Sequence, residues 1–533
     1  MPTINFKGKS AVWNHHLSVP YQVLDKDKKM SIEGKNMDEN LIIEGDNLTA
    51  LKSLLPKYQG KIKCIYIDPP YNTGNEGWVY SDNVNSPLIK NWIGKSVGAD
   101  DLTRHEKWLC MMTPRLKILN ELLSDNGVIF ISIDDNEQAH LKMLLDEIFN
   151  ENNFESFIWK KKGGAGNTEK IIGNLTEYIL CYFKYKKAGV FNFRNIERTY
   201  KFRDKTGPYN LEGIEKTNSG GYERKTMLFS IIDPKTKKEF YPQNGQRWTA
   251  GKETIDRLVK ENRILFDYAK GRVYIIKRPE DYQESENVYY NLFLEKGSLA
   301  TAKDELESLG FDREIFDTPK PSKLIKHILE IATQKDSLIL DSFAGSGTTA
   351  QAVLELNKED GGNRKFILVQ LPEKIEKDTP AYKVGFRYIH EITQERVKRV
   401  IKRDKLDVGF SYFKLGSPID AESILSGTLP TYKEFAKYVY YLATGETMDN
   451  EKPIDEKSYF AGKNKRESIY LIYQKDKDKL KNMAITLDWA EEISKKDKGK
   501  KIVYAPACFL DEEYLDKFNI QFVSVPYSLF EKK

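Results

Sequence analysis

The chain has 533 residues, of which 84 are Lys or Arg and 79 are Asp or Glu, so its formal net charge is only +5. This length suggests about three or four domains, and the 40% of hydrophobic residues can fill their cores, which excludes general disorder. No apolar run reaches the roughly 18 residues of a transmembrane helix, and neither CxxC nor HExxH spacing occurs. We therefore expect a cytoplasmic protein without a membrane span, a disulfide framework or a metal site.

The chain alternates short apolar runs with stretches of helical periodicity. In chain order, the pattern predicts strands at residues 41–43, 62–67, 128–133, 338–340 and 366–369, and helices at 48–55, 109–123, 140–149, 324–332 and 348–356. Strands that alternate with helices of this length indicate βαβ units and a parallel sheet covered on both faces. Asp134 and Asp135 follow the strand at 128–133, and we expect them to cap the next helix rather than to bind a metal.

The first loop with chemical character is Asp68-Pro69-Pro70-Tyr71, which follows the predicted strand at 62–67. Consecutive prolines fix φ and remove two backbone donors, which leaves carbonyl oxygens as acceptors. The Asp68 carboxylate and the Pro69 carbonyl could receive the two N–H bonds of an exocyclic amine, while Tyr71 stacks on the planar base that carries it. The structural alternative is a rigid turn after a strand.

Positive charge is concentrated in the middle of the chain. Residues 160–280 contain 27 Lys and Arg against 14 Asp and Glu, a net charge of +13, so the rest of the chain sums to −8. Aromatic residues such as Tyr200, Tyr209, Trp248 and Tyr274 are interspersed in this stretch. Lys and Arg neutralise phosphates, so the stretch is a candidate nucleic-acid-binding region; the alternative is a domain that is merely basic.

A second loop, Asp341-Ser342-Phe343-Ala344-Gly345-Ser346-Gly347-Thr348-Thr349, joins the predicted strand at 338–340 to the next helix. Glycines at such a turn let backbone N–H groups approach a ligand closely beside a helix N-terminus. The loop has neither the Lys of a P-loop nor the GxGxxG spacing of a dinucleotide site. On its own, this turn could be purely structural.

Both loops follow predicted parallel strands, at the sheet edge where open α/β proteins bind ligands. The Asp68 tetrapeptide followed much later by the Phe343–Thr348 glycine loop resembles the amino-methyltransferases of DNA, in the permuted motif order called the beta class. Segments at 44–47, 125–137, 176–180 and 318–321 agree, and the set is most similar to the modification subunit of type III restriction–modification systems. The resemblance covers about residues 41–187 and 318–403 and implies a circularly permuted, Rossmann-like α/β methyltransferase sheet.

The resemblance assigns S-adenosylmethionine to the glycine loop, with contacts from Asp341, Phe343, Gly345, Gly347 and Thr348. Two further cofactor positions follow from it: Asp46, which matches the residue at the cofactor's adenine, and Lys320, near the methionine portion. The strand at 366–369 departs from the family pattern, because Gln370 stands where an acid usually bonds the ribose hydroxyls. Either Gln370 or Glu373 is expected to take that role.

The implied reaction is transfer of a methyl group to adenine N6 in a short duplex sequence, with Asp68, Pro69, Pro70 and Tyr71 as catalytic residues and no metal. The implied organisation is an N-terminal extension (1–40), a catalytic part (41–187), a target-recognition domain (188–317), a cofactor-binding part (318–408) and a C-terminal α/β interaction domain (409–533). The implied partners are double-stranded DNA, a second copy of the chain, and a restriction subunit with helicase and nuclease motors in phage defence.

A target base inside a duplex must be flipped out before it can react. Residues 74–105, with Trp78, Tyr80 and Trp92, could close over the flipped base or could form an ordinary surface loop. Three alternatives to the leading interpretation remain: a stand-alone or cytosine-N4 DNA methyltransferase, a catalytically silent DNA-binding component of a defence complex, and an RNA methyltransferase. The Asp at position 68 and the large basic insert favour adenine in duplex DNA.

Overall fold

The structure is a computed structural model that describes residues 3–73, 103–164, 173–187, 189–194, 199–217, 224–282, 288–419, 429–446, 448, 453–480 and 482–525. It divides into two compact units, one comprising Met1–Asn192 with Tyr290–Lys533 and the other comprising Phe193–Tyr289. The described part of the chain contains no helix that is both long and apolar enough to cross a membrane.

The strands are β1 (Tyr21–Lys26), β2 (Leu41–Glu44), β3 (Ile62–Ile67), β4 (Leu123–Ile133), β5 (Phe154–Lys160), β6 (Thr176–Phe183), β7 (Phe202–Asp204), β8 (Gly207–Gly213), β9 (Glu215–Thr217), β10 (Ile231–Ile232), β11 (Glu239–Phe240), β12 (Gln246–Trp248), β13 (Ile264–Asp267), β14 (Arg272–Lys277), β15 (Leu292–Phe293), β16 (Leu338–Asp341), β17 (Lys365–Gln370), β18 (Ser411–Ile419), β19 (Phe460–Lys463), β20 (Glu467–Leu471), β21 (Lys500–Ala505) and β22 (Ile520–Ser524).

The α-helices are α1 (Lys9–Val12), α2 (His15–Ser18), α3 (Asn47–Tyr58), α4 (Arg104–Leu122), α5 (Gln138–Phe149), α6 (Lys252–Lys260), α7 (Leu299–Ser308), α8 (Ser322–Ala332), α9 (Thr348–Asp360), α10 (Pro380–Lys383), α11 (Ile389–Asp404), α12 (Tyr432–Thr444), α13 (Lys477–Leu480), α14 (Leu487–Lys496) and α15 (Glu512–Lys517).

Ten of the described strands form one mixed sheet in the order β1-β18-β2-β17-β16-β3-β4-β6-β5-β15. The strands from β18 to β4 are mutually parallel. The late strands β16 and β17 lie between the early strands β2 and β3, so the sheet has the permuted order that the motif order implies. Every residue of β3 is buried, because both faces of the sheet are covered at its centre. The expected Rossmann-like α/β fold is therefore confirmed.

The five strands that the sequence predicts are mutually parallel as expected, but antiparallel strands join the sheet at its margins. Strand β6 runs antiparallel to both of its neighbours, β4 and β5, and β1 runs antiparallel to β18. Alternation of apolar residues has the same appearance in either direction, so it could not reveal these orientations. Strand β1 comes from residues 1–40 and β18 from residues 409–533, so both terminal regions contribute to the main sheet.

The C-terminal region also builds a smaller sheet of its own, in the order β19-β20-β21-β22. Strands β20, β21 and β22 are parallel, and β19 is antiparallel to β20. Helix α12 buries Phe435 and Val439 in a core with Leu471 and Tyr473. This arrangement agrees with the expected small α/β region after residue 409.

The unit Phe193–Tyr289 is mainly β-structure, with a four-stranded sheet in the order β13-β14-β8-β7 and two short β-pairs among its described residues. Trp248 is fully buried in its core, together with Ile255 of α6, Val273 of β14 and Phe240. The indole of Trp248 donates a hydrogen bond of 2.7 Å to the Phe229 carbonyl. This unit overlaps the basic stretch over residues 193–280 and lies within the predicted 188–317 insert, whereas β15 and α7 of that insert are in the other unit.

Candidate active site

The two loops that the sequence singles out lie side by side in the structure. Strands β3 and β16 are adjacent and parallel, with Cys64 opposite Ile339 and Ile65 opposite Leu340. The Asp68 loop follows β3 and the glycine loop follows β16, so both loops extend from the carboxyl edge of the sheet. The chain continues from β16 to β17 on one side, while β3 lies on the other, which is the switch-point position where open α/β sheets bind ligands.

Asp68 and Tyr71 form a compact polar network with Lys320. The Lys320 ammonium donates to both Asp68 carboxylate oxygens, at 2.8 and 2.7 Å, and to the Tyr71 hydroxyl oxygen at 3.0 Å. The Tyr71 hydroxyl donates to Asp68 Oδ1 at 2.9 Å. Residues separated by about 250 positions in the chain are therefore joined in one charge-assisted cluster.

Two further charged residues complete this network. Tyr71 also contacts Glu177 Oε2 at 3.0 Å, and Glu177 Oε1 accepts a hydrogen bond of 3.2 Å from Lys161. Glu177 and Lys320 form an ion pair at 3.6 Å. Two carboxylates and two ammonium groups are thus grouped around the Tyr71 hydroxyl. Sequence reasoning assigned no role to Glu177, although an acid in the otherwise largely apolar strand β6 was a usable signal.

The charges of this network act differently on its two acids. Burial raises the pKa of Asp68, and the Lys320 ammonium offsets only part of that rise. Burial would also raise the pKa of Glu177, but Lys320 and Lys161 together lower it below the usual range. Burial alone would lower the pKa of Lys320, whereas Asp68 and Glu177 raise it. Asp68 is consequently the more basic of the two carboxylates and the stronger hydrogen-bond acceptor.

Hydrogen bonds with helix α4 support the rest of the Asp68 loop. The indole of the fully buried Trp108 donates a 2.7 Å hydrogen bond to the Pro70 carbonyl. Asn72 has a left-handed backbone with φ of 56°. Its side chain donates to the Arg104 carbonyl at 3.3 Å and to the Glu137 carboxylate. Sequence reasoning missed these supports, because they come from α4 and from the N-cap of α5, which are distant in the chain from the Asp68 loop.

The glycine loop is shaped by the carboxylate of Asp341. Its Oδ1 accepts from the Phe343 backbone N–H at 3.0 Å, and its Oδ2 accepts from the Thr349 hydroxyl at 2.5 Å. Burial raises the pKa of Asp341 to about 7, and the nearby Asp68 charge adds to that rise. Gly345 and Gly347 adopt φ of 51° and 85°, which a residue with a Cβ rarely adopts.

The buried guanidinium of Arg396 supports the same loop from helix α11. It donates 2.7 Å hydrogen bonds to the hydroxyl oxygens of both Ser346 and Thr348, and a 2.8 Å bond to Gln351. The Thr348 hydroxyl in turn donates to the Lys320 carbonyl at 3.1 Å. The glycine loop and the segment that carries Lys320 are therefore linked directly.

A model of a family described as DNA methylase matches residues 62–398, which is more than half of the chain. The chain belongs to this DNA methylase family.

Three relatives of known classification are similar to this methylase over most of its length. The Mod subunit of the type III restriction–modification enzyme StyLTI from Salmonella typhimurium is 34% identical over 75% of this chain and 64% of its own length. The Mod subunit of EcoP15I from Escherichia coli is 31% identical over 81% of this chain and 74% of its own length. The type II methyltransferase M.KpnI from Klebsiella pneumoniae is 35% identical over 67% of this chain and 86% of its own length.

The similarity to Mod subunits confirms the resemblance seen in the motifs. The methylase spans slightly less than two thirds of the StyLTI protein that it matches, and about three quarters of the EcoP15I protein.

Other positions expected to bind the cofactor lie around the same edge of the methylase sheet. Asp46 follows β2 and caps helix α3 by accepting the Thr49 N–H at 3.1 Å. Its other carboxylate oxygen pairs with Arg115 at 3.1 Å, and its side chain is 42% exposed. The neighbouring Asn47 donates to the Ser342 carbonyl at 3.1 Å, which ties the start of α3 to the glycine loop.

Gln370 and Glu373 have different surroundings. Gln370 is buried, and its Oε1 accepts the Gly345 N–H at 2.7 Å while its amide nitrogen donates to the Leu371 carbonyl at 3.3 Å. Its side chain is therefore engaged in bracing the glycine loop. Burial raises the pKa of the Glu373 carboxyl.

The segment proposed to close over a flipped base, with Trp78, Tyr80 and Trp92, lies outside the described residues except for residues 103–105. The expectation that Asp134 or Asp135 caps helix α5 is wrong, because Glu137 occupies the N-cap position. Asp134 instead accepts the Asn136 N–H at 3.0 Å in a local turn, and Asp135 accepts from Asn174 at 2.8 Å.

Proposed function

We propose that this chain is an S-adenosylmethionine-dependent DNA methyltransferase that modifies adenine N6, and that it acts as the modification subunit of a type III restriction–modification system. The observation that carries the proposal is the adjacency of the Asp68 loop and the glycine loop on neighbouring parallel strands in a chain of the DNA methylase family.

The residues at the sheet edge fit a bound S-adenosylmethionine, whose sulfonium supplies an electrophilic methyl group. A Cβ on Gly347 would lie 3.0 Å from the Thr393 carbonyl, so this position must remain glycine for the loop to keep its close-packed turn. We assign the cofactor to the loop at Phe343, Gly345, Gly347 and Thr348, with Asp341 shaping the turn. Asp46 offers a partly exposed carboxylate at the next strand.

We assign the cofactor ribose to Glu373 rather than to Gln370. The oxygen and the nitrogen of the Gln370 amide each already bond to a backbone group of the protein, at Gly345 and Leu371. Glu373 is a half-buried carboxylate whose pKa is raised by burial alone, so hydroxyl donors would stabilise its charge. Glu373→Gln should weaken binding of S-adenosylmethionine, as measured by isothermal titration calorimetry.

The adenine amine would be received by Asp68 and the Pro69 carbonyl. Adenine N6 is a poor nucleophile because its lone pair is delocalised into the ring, and two accepted hydrogen bonds favour a more tetrahedral nitrogen. The base therefore has to compete with Lys320 for Asp68, or share Asp68 with it, and the raised pKa of Asp68 favours strong acceptance from the amine. Transfer is then a direct displacement governed by positioning and electrostatics.

DNA is the proposed macromolecular substrate, and the unit Phe193–Tyr289 is the proposed target reader. Residues 193–289 contain 20 Lys and Arg against 15 Asp and Glu, and the preceding residues 160–192 add 7 Lys against 2 Glu. Such a surface would contact the phosphate backbone and position side chains at base edges. A homodimer and a restriction subunit are the proposed protein partners, with the sheet β19–β22 as their proposed contact region.

A stand-alone methyltransferase is the second candidate, and one observation favours it. The chain covers 86% of the type II enzyme M.KpnI but 64% of the StyLTI Mod subunit. The reaction is the same in both cases, so the two candidates differ only in whether a restriction subunit binds.

Single-molecule sequencing of genomic DNA from cells that express the protein tests the reaction, the base and the target together. We expect N6-methyladenine at one short motif in the wild type and its loss in Asp68→Ala. Modification of cytosine N4 would refute adenine specificity, and an unmodified genome would refute the enzymatic proposal. Co-purification with a helicase–nuclease subunit, tested by affinity isolation from the source cells, separates the two candidates.

A further inference from the structure

A second cluster of titratable side chains lies behind the Asp68 loop. Glu137 is the N-cap residue of helix α5, His140 follows it three residues later, and His105 comes from the first turn of α4. His105 Nδ1 lies 2.7 Å from Glu137 Oε1, and His140 Nδ1 lies 3.0 Å from Glu137 Oε2. The centroids of the two imidazole rings are 4.8 Å apart, and one ligand atom from each of the three residues lies within 4.8 Å of the other two.

The charge of Glu137 is poorly compensated. Its side chain is 0% exposed, and its partners among the described residues are two imidazoles and the Asn72 amide, without a Lys or Arg. A buried carboxylate that has no Lys or Arg beside it is costly unless another positive charge compensates it. Asp68, by contrast, has Lys320 as a direct counter-ion. A cation bound beside Glu137 would therefore compensate its charge.

Asn72 lies against this cluster and, within the described part of the chain, has an unpartnered side-chain oxygen. It is fully buried and follows Tyr71 directly, and its Oδ1 has no hydrogen-bond partner among the described residues. The same amide contacts Glu137 through its nitrogen. Rotation of the amide by half a turn would give up the hydrogen bonds of its nitrogen to Glu137 and to the Arg104 carbonyl, and would present an oxygen ligand on the Glu137 side.

We propose that His105, Glu137 and His140 bind a divalent transition-metal ion of the zinc type, with Asn72 as a potential fourth ligand. Imidazole nitrogens and a carboxylate oxygen are a common ligand set for such ions. Glu137 and His140 have the E-x-x-H spacing that brings two ligands to one side of a helix turn. The histidine side chains are 33% and 39% exposed, so an ion can enter from solvent.

The ion would act on the position of the Asp68 loop and not on methyl transfer itself. It would link the first turn of α4 to the start of α5. Through Asn72, which directly follows Tyr71, it would also link both helices to the Asp68 loop. This inference does not depend on the proposed reaction, because ion binding is measured without DNA or S-adenosylmethionine.

The test is titration of the metal-stripped full-length protein with Co²⁺, followed by visible absorption, and with Zn²⁺, followed by calorimetry. We expect one ion per chain, and an affinity loss of at least about tenfold in His140→Ala and Glu137→Gln. His327→Ala is the matched control, because His327 pairs with Glu330 at 3.1 Å with the same three-residue spacing but belongs to no three-ligand group among the described residues. It should bind the ion like the wild type.

Weak wild-type binding, no tighter than that of His140→Ala, would overturn the proposal and leave the cluster as a hydrogen-bonded support of Asn72. An equal loss in His327→Ala would overturn it as well. Circular dichroism of each variant shows that it is folded, and His140→Ala keeps the test decisive if Glu137→Gln does not fold, because the His140 side chain is partly exposed.

Discussion

At the scale of single residues, the arrangement around Tyr71 is governed by charge balance. Asp68 and Glu177 share the Lys320 ammonium, and Lys161 supplies the second cation. Removing one partner of a buried ion pair leaves an uncompensated charge, which costs far more than the pair contributes. Removing one positive and one negative charge together should therefore destabilise the site less than removing a single charge.

Lys320→Met should lower the free energy of unfolding by about 3 kcal/mol, because Asp68 and Glu177 would then face each other without their common cation. The double variant Lys320→Met with Glu177→Gln removes one charge of each sign and should recover more than half of that loss. Urea denaturation measures both values. A double variant as unstable as the sum of its single changes would contradict the shared role of Lys320.

The pKa of Asp341 gives a pH-dependent prediction. It is raised from 3.8 to about 7, so between these pH values the unfolded chain loses a proton that the folded chain keeps. Stability therefore falls as pH rises through this window, by at most on the order of 4 kcal/mol from this group. In Asp341→Asn that contribution should be absent, so the variant should gain on the wild type between pH 4 and pH 7 in urea denaturation. A difference that stays constant with pH would contradict the raised pKa.

Site residues could be predicted from the sequence where the adjacent residues form a recognisable motif. Residues whose partners are distant in the chain were missed. Asp68 and Tyr71 stand in a loop that is unusual by itself, and so they were predicted as site residues. Glu177 and Arg396 act through contacts with residues that are distant in the chain, and no local pattern encodes such pairs. Asp134 was expected as a cap because of its position after a strand, but the chain makes a further turn before helix α5 begins.

At the scale of elements, the two loops depend on the strands that deliver them. The predicted strands and helices agree with the observed ones to within a few residues, because buried parallel strands have continuous apolar runs and the helices have a clear amphipathic period. The direction of β6 could not be predicted from its composition. In the structure β6 lies between β4 and β5 and is antiparallel to both.

Gly347→Ala tests the close packing of the glycine loop, and Gly361→Ala is the matched control. Both glycines have positive φ, 85° and 68°, but only at Gly347 would a Cβ meet a backbone atom, the Thr393 carbonyl at 3.0 Å. Each change should cost about 1 kcal/mol for the strained backbone. Only Gly347→Ala should also weaken binding of S-adenosylmethionine, by about tenfold or more in calorimetry. Equal binding by both variants would show that the loop does not hold the cofactor.

At the scale of the whole molecule, the small net charge of +5 conceals a basic middle region and an acidic remainder. The structure separates Phe193–Tyr289 as a compact unit and leaves β15 and α7 with the main sheet. Glu305 of α7 accepts the Ser322 N–H at 2.9 Å and pairs with Arg396 at 3.4 Å, so α7 supports the start of α8 and the arginine that braces the glycine loop. The predicted target-recognition domain, residues 188–317, therefore includes α7, and only its tertiary contacts reveal that this helix packs with the main sheet unit.

Replacement of residues 193–289 by a short Gly-Ser linker should remove duplex binding and retain binding of S-adenosylmethionine. In the full chain, affinity should fall steeply with salt, with a logarithmic slope of about −0.9 for each phosphate contact. Fluorescence anisotropy at several salt concentrations measures both effects. Retained, salt-dependent DNA affinity in the shortened chain would contradict the assignment of this unit as target reader.

Methyl transfer to adenine N6 at Asp68 is tested most directly by incubating the purified protein with duplex DNA and S-adenosylmethionine and then analysing the digested nucleosides by mass spectrometry. We expect N6-methyldeoxyadenosine with the wild type and none with Asp68→Ala, while both proteins bind S-adenosylmethionine equally. N4-methyldeoxycytidine, no methylated nucleoside, or undiminished methylation by Asp68→Ala would contradict it.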